Sequence, residues 1–116
     1  MSTPPLLPEK SGLGIDANLA ALLTYVLGFF TGIAFLVLEK ENKYVRFHAM
    51  QSTLVFASLM VINVALSVIP VFGALITIFL LGPATVILWL VLMYKAFNNE
   101  KFKLPILGDL AEKQVG

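Results

Sequence analysis

Between Ala49 and Tyr94 the chain carries no charged side chain, and a second uncharged run extends from Ala17 to Leu38. A soluble domain has roughly 25% charged residues. Here 13% of 116 residues are charged and 59% are hydrophobic, and the mean hydropathy is +0.90. A water-soluble fold of this size would lack the polar surface to cover such a core. The reading is an all-α polytopic membrane protein. A net charge of +1 argues against nucleic acid as a partner, because phosphate binding needs a concentrated basic face. Cysteine is absent, which excludes disulfides, thiolate metal sites and cysteine nucleophiles.

The uncharged runs predict three spans, at Ala17–Leu38, Ala49–Ile69 and Ala74–Phe97. The 22 residues of the first reach roughly 33 Å, against a hydrocarbon core of about 30 Å. That run is too long for a signal peptide, and Lys10, the first basic residue, follows Glu9; the span is expected to be retained. Asp16 is placed to cap it. Pro70 and Gly73 make an uncharged turn, and Val71–Phe97 is too short for two crossings. Pro83 should kink the third span, because proline lacks an N–H and crowds the Phe79 carbonyl. Residues 1–14 read as a flexible tail, 15–97 as the membrane domain and 98–116 as a cytoplasmic tail. In that last tail Phe102, Leu104, Ile106, Leu107 and Leu110 suggest a short interfacial segment. Three crossings put Lys40, Lys43, Arg46, Lys95, Lys101, Lys103 and Lys113 on one side and Lys10 alone on the other. By the positive-inside rule the N-terminus lies outside the cell membrane and the C-terminus in the cytoplasm.

The polar elbow Glu39–Ser52 separates the runs. Lys43, Tyr44, Arg46, Phe47, His48 and Gln51 are its contact candidates, for a lipid headgroup or a protein partner; the plainer reading is a connector that anchors span ends. Arg46 offers a planar fork of donors, with an anionic headgroup, Glu39 or Asp109 as its partner. Asp109 is preferred, because Leu104-Pro105 and Ile106-Leu107 could pin the tail to the interface. His48 could sense pH, though a lone histidine at a helix start is more often a hydrogen-bonded structural residue. His48, Ser52, Asn63 and Ser67 form a polar stripe that reads as interhelical glue or, less readily, as a hydrated path through an oligomer. Gly28 and Gly32 form a GxxxG. It would pack on the small patch at Gly82 and Thr85 of the third span, or on a second copy. Trp89 and Tyr94 fit an aromatic belt. No catalytic, cofactor or metal motif is present.

The run EKENKYVRFHAMQS, with Ala20-Ala21-Leu22-Leu23-Thr24-Tyr25 upstream and Leu104-Pro105-Ile106-Leu107-Gly108-Asp109 downstream, resembles a family of small uncharacterised prokaryotic membrane proteins. That family is distantly similar to the twenty-kilodalton component of the chloroplast inner-envelope protein-import translocon. The resemblance implies no catalytic residues. The plastid proteins have four spans where three are counted here, which weighs against a protein-conducting role. The functional expectation is a non-enzymatic scaffold or accessory subunit that binds membrane-protein partners or its own copies. The alternative is an oligomeric transport or translocation component.

Overall fold

The computed structural model describes Lys10 and residues 12–115, so most of the expected N-terminal tail lies outside the described residues. Those residues are helical, without a named strand. The helices are α1 (Ala17–Val26), α2 (Phe29–Leu38), α3 (Lys43–Leu66), α4 (Phe72–Phe97) and α5 (Leu107–Val115). Among the described residues, only α3 and α4 are long and apolar enough to cross a membrane.

The first uncharged run is therefore not a third span. It breaks at Leu27-Gly28, where Gly28 takes φ 64° and ψ −135°, a region open to glycine and strained for an L side chain. The chain then folds back. The Gly12 amide, just before α1, donates to the Glu39 carboxylate, just after α2, at 2.7 and 2.9 Å. A straight helix over the same run would hold those ends about 33 Å apart. Asn42 Nδ2 also reaches the Lys10 carbonyl at 3.0 Å, and Asn18 Nδ2 reaches the Phe97 carbonyl at 3.0 Å. The start of α1, the end of α2, the start of α3 and the end of α4 thus meet at one end. Lys10 stands there with the elbow, and the expectation of termini on opposite sides loses its basis.

A helical hairpin tip leaves backbone groups without helical partners, and in a bilayer lipid cannot satisfy them. Side chains do so here. Trp89 Nε1 donates to the Tyr25 carbonyl at 2.6 Å. Ser52 Oγ donates to the Gly28 carbonyl at 3.0 Å. The Thr31 hydroxyl bonds Thr24 and Gly28 carbonyls and accepts from the Leu27 amide. Trp89 is thus a cap on α1 rather than part of an aromatic belt. Asp16 does not cap α1 with its side chain, which pairs instead with Lys10.

Gly32 packs α2 on α3, not on the Gly82–Thr85 patch. A β-carbon at Gly32 would stand 2.7 Å from Thr53 Oγ1 and 2.9 Å from the Ala49 carbonyl oxygen. α1 lies between α3 and α4 and packs on both. The hairpin tip touches α3 at Ser52 and Phe56, ten residues and so about 15 Å short of the α3 end at Leu66. Protein core is confined to the hairpin end, at residues such as Ala21, Tyr25, Val45, Phe47, Leu92 and Ala96. Beyond the tip, Val61, Val64, Ile78 and Phe79 are exposed.

In α4 the disturbance expected at Pro83 takes the form of a π turn over Thr77–Leu81, closed by the Gly82 amide on the Thr77 carbonyl. The wider turn accommodates the missing N–H and the ring one residue later.

Gly32→Val should lower stability by about 1–3 kcal/mol through overpacking against α3. Thermal unfolding in mild detergent checks this; an unchanged midpoint would mean that α2 does not seat on α3.

Candidate functional site

The residues brought together at the hairpin end come from α1, the beginning of α3 and the strand-like stretch after α4. Asn42 starts α3: its side chain accepts from the Val45 amide at 3.1 Å, which satisfies one of the free donors of the first turn. The helix then runs unbroken through the former elbow, so the elbow does not lie flat. Tyr44, His48 and Gln51 follow at spacings of four and three and share one face. All three are buried.

That face grips the backbone of Glu100–Leu104. The Tyr44 hydroxyl lies 2.8 Å from the Ala96 carbonyl and 3.1 Å from the Glu100 carbonyl. His48 Nε2 lies 2.9 Å from the Glu100 carbonyl. Gln51 donates to the Phe102 carbonyl at 2.9 Å and accepts from the Leu104 amide at 3.0 Å. Alternate residues of an extended segment present their backbone to one side, and a helix offers side chains every three to four residues. The two periods match over this short strap.

The network determines its own protons. A carbonyl only accepts, so His48 Nε2 must donate to Glu100. His48 Nδ1 is then the acceptor for the Tyr25 hydroxyl at 2.6 Å, and Tyr25 in turn accepts from Gln51 Nε2 at 3.0 Å. Both amide hydrogens of Gln51 are used. The rings of Tyr25, Tyr44 and Phe47 meet the imidazole edge-on. A neutral histidine of fixed tautomer completes this closed set, and no buried side-chain nitrogen or oxygen among the described residues lacks a hydrogen-bond partner.

Arg46 does not meet Asp109, Glu39's carboxylate or any other acid among the described residues. Its Nη1 donates to the carbonyls of Leu36 at 2.9 Å and Glu39 at 2.6 Å. These are terminal carbonyls of α2, where a cation is favoured by the helix dipole. Asp109 pairs with Lys103 at 3.4 Å. The tail does return to the elbow, but its backbone is held by Gln51 and His48. From the strap itself, Lys101 lies 5.0 Å over the Phe47 ring and bonds Glu112 at 2.8 Å, and Lys103 bonds Glu112 at 3.0 Å. Hydrogen bonds from Lys101 and then Lys103 hold the Glu112 carboxyl below the usual range. Bonds to Glu112 and then Asp109 raise Lys103.

Lys43 is exposed. Ser52 serves the hairpin tip, while Asn63 lies far along α3 and bonds its own Leu59 carbonyl. The polar stripe is therefore divided: His48 and Ser52 are spent inside the bundle, and Asn63 and Ser67 stand outside it. Gly82 closes the π turn and does not face Gly32. Tyr25, Asn42, Trp89 and the Glu100–Leu104 strap were not singled out as site residues from the sequence. A tyrosine in mid-run beside the Gly28 break was the available signal.

The chain matches the magnetosome magnetite crystal formation protein family over residues 10–111. It is 54% identical to a membrane protein of Archaeoglobus fulgidus over 85% of this chain and 95% of that one. It is 48% identical to a membrane protein of Methanocaldococcus jannaschii over 90% of this chain and 93% of the relative. A second protein of that organism is 45% identical over 87% of this chain and 71% of its own length. These relatives are named only as UPF0132 membrane proteins. No solved structure matches.

Gln51→Leu removes the acceptor for the Leu104 amide and two donors. Hydrogen exchange at Leu104 should accelerate by about tenfold, the equivalent of one to two net hydrogen bonds. Unchanged protection at Leu104 would mean that the strap is held by something other than α3.

Proposed function

Because the chain belongs to the magnetosome magnetite crystal formation protein family, a family of small membrane proteins without an established activity, we propose that it is a non-enzymatic scaffold or accessory subunit presenting a rigid charged platform at one membrane face. The observation that carries this reading is the segregation of charge. Every charged residue described lies at the hairpin mouth, in the elbow, in the last turn of α4 (Lys95) or in the tail, and the uncharged run Ala49–Tyr94 leads to the opposite end and back. The polar side chains of the hairpin end are committed to holding backbone, and among the described residues no three His, Asp or Glu side chains converge as metal ligands. The proposal therefore rests on the platform and not on crystal chemistry.

In this reading α3 and α4 cross the cell membrane and α1–α2 enters from the platform side and returns. All eight basic residues then share that side, which the positive-inside rule assigns to the cytoplasm. Both termini are cytoplasmic. A translocation role, suggested by the likeness to the plastid import component, fits less well, because the bundle uses His48 and Ser52 for its own packing.

A reporter active only in the cytoplasm should be active when fused at either end of the chain; silence at the N-terminus would overturn the two-crossing placement. A photo-crosslinking residue at Leu110, exposed on α5, should give a discrete protein adduct. Adducts with lipid alone would contradict the scaffold reading.

A further inference from the structure

The hairpin leaves a gap that the rest of the fold does not fill. α3 and α4 approach backbone to backbone only near the turn that joins them, and at the charged end the Tyr44 hydroxyl reaches the Ala96 carbonyl. α1 separates them at the charged end. Past the tip at Gly28 that spacer stops, and the two helices continue for about 15 Å with no third helix between them, their facing side chains such as Leu59, Thr77 and Leu81 half-buried. A depth of about 15 Å is one leaflet's share of a hydrocarbon core of about 30 Å.

At the far end, beside the turn that joins the two helices, lies an open groove of about 390 Å³ lined by residues that include Asn63, Ser67, Ala74, Thr77 and Ile78. Its polar groups are underused. Asn63 makes one side-chain hydrogen bond, from Nδ2 to the Leu59 carbonyl, which leaves its second amide hydrogen and its oxygen open. Ser67 Oγ donates to the Val64 carbonyl and retains acceptor capacity. The Thr77 side chain has no hydrogen bond among the described residues. No charged residue lies near this mouth, because all of them are at the opposite end.

We propose that the cleft binds one phospholipid of the far leaflet, with an acyl chain between α3 and α4 reaching the hairpin tip and the glycerol-region oxygens hydrogen-bonded at Asn63 and Thr77. The inference rests on the membrane placement proposed above. Three features match such a lipid: apolar walls one leaflet deep, a lateral opening to the bilayer, and neutral donors only at the mouth. The neutral mouth reads the oxygens between headgroup and tail, which phospholipids of different headgroup share. Binding should therefore not depend on headgroup charge. A second copy of the chain would fill the gap less well, since a helix would have to enter a space closed above by the hairpin and at one end by the turn.

The test is native mass spectrometry of the full chain released from bilayer discs of phosphatidylcholine or of phosphatidylglycerol. One lipid per chain should survive activation that strips the others, to the same extent from either lipid. Asn63→Leu keeps the side-chain bulk and removes the amide; retention should fall about fivefold, the worth of one hydrogen bond. Ala74→Trp fills the groove and should abolish retention. Equal retention by the native chain and Asn63→Leu overturns the proposal, as does a marked preference for the anionic lipid, which would place the lipid at the charged end. Disulfide-linked dimers of Asn63→Cys would overturn it in favour of a second copy. Labelling of Val71→Cys in whole cells by a membrane-impermeant reagent reports the placement separately. If labelling succeeds while Asn63→Leu retains lipid, only the cleft proposal fails; if labelling fails, the placement fails.

Discussion

One carboxylate holds the chain in its folded-back course. Glu39 is fully buried and accepts from the amides of Gly12, Glu41 and Asn42 at 2.7 to 3.1 Å. The first of these comes from the far end of the hairpin, and the other two from the turn that leads into α3. A buried carboxylate without partners would be very costly. With amide donors around it, Glu39 instead ties the segment before α1 to the segment after α2. Asn42 and Arg46 extend the tie, one to the Lys10 carbonyl and the α3 first turn, the other to the terminal carbonyls of α2.

The rest of the architecture follows from this closure. A hairpin of two ten-residue helices cannot reach as far as the 24 and 26 residues of α3 and α4. The molecule is consequently dense at one end, where five elements and the strap converge, and sparse at the other, where only α3 and α4 and the turn that joins them remain. The dense end satisfies its polar groups by cross-links between side chain and backbone. Each of these is worth only about 1 kcal/mol in net stability, but leaving a buried partner unpaired costs more. Removing one group therefore disturbs its neighbours, and Tyr25, His48 and Gln51 are coupled through shared hydrogens. The sparse end leaves apolar side chains such as Val61, Val64, Ile78 and Phe79 uncovered by protein.

The all-helical class and the two long apolar helices were legible in the sequence, because uncharged length is a direct record of membrane-compatible surface. The helix after Ile106 was foreshadowed by apolar residues interleaved with lysines in the tail. The hairpin was not legible as such. Hydropathy counts apolar residues along Ala17–Leu38 but does not record that the chain reverses at Gly28. A GxxxG looks the same whether its first glycine lies in a helix or turns the chain. Charge counting then inherited the error and put Lys10 on the wrong side of the elbow. Arg46 was assigned an acid because arginine forks fit carboxylates; the competing acceptors, carbonyls at a helix end, exist only once α2 is known to end beside α3. The strap was missed for a related reason. Its polar recognition is of backbone by Tyr44, His48 and Gln51, and the apolar Phe102 and Leu104, which pack on the core, read equally well as residues of an interfacial segment.

The central claim is that residues on either side of the first uncharged run are neighbours. The chain has no native cysteine, so spin labels at Leu13→Cys and Glu41→Cys in bilayer discs measure the separation directly by electron–electron dipolar coupling. The folded-back hairpin predicts a distance well below about 33 Å, the length of a straight helix over the run. A narrow distribution at or beyond that length would contradict the hairpin and restore a third crossing.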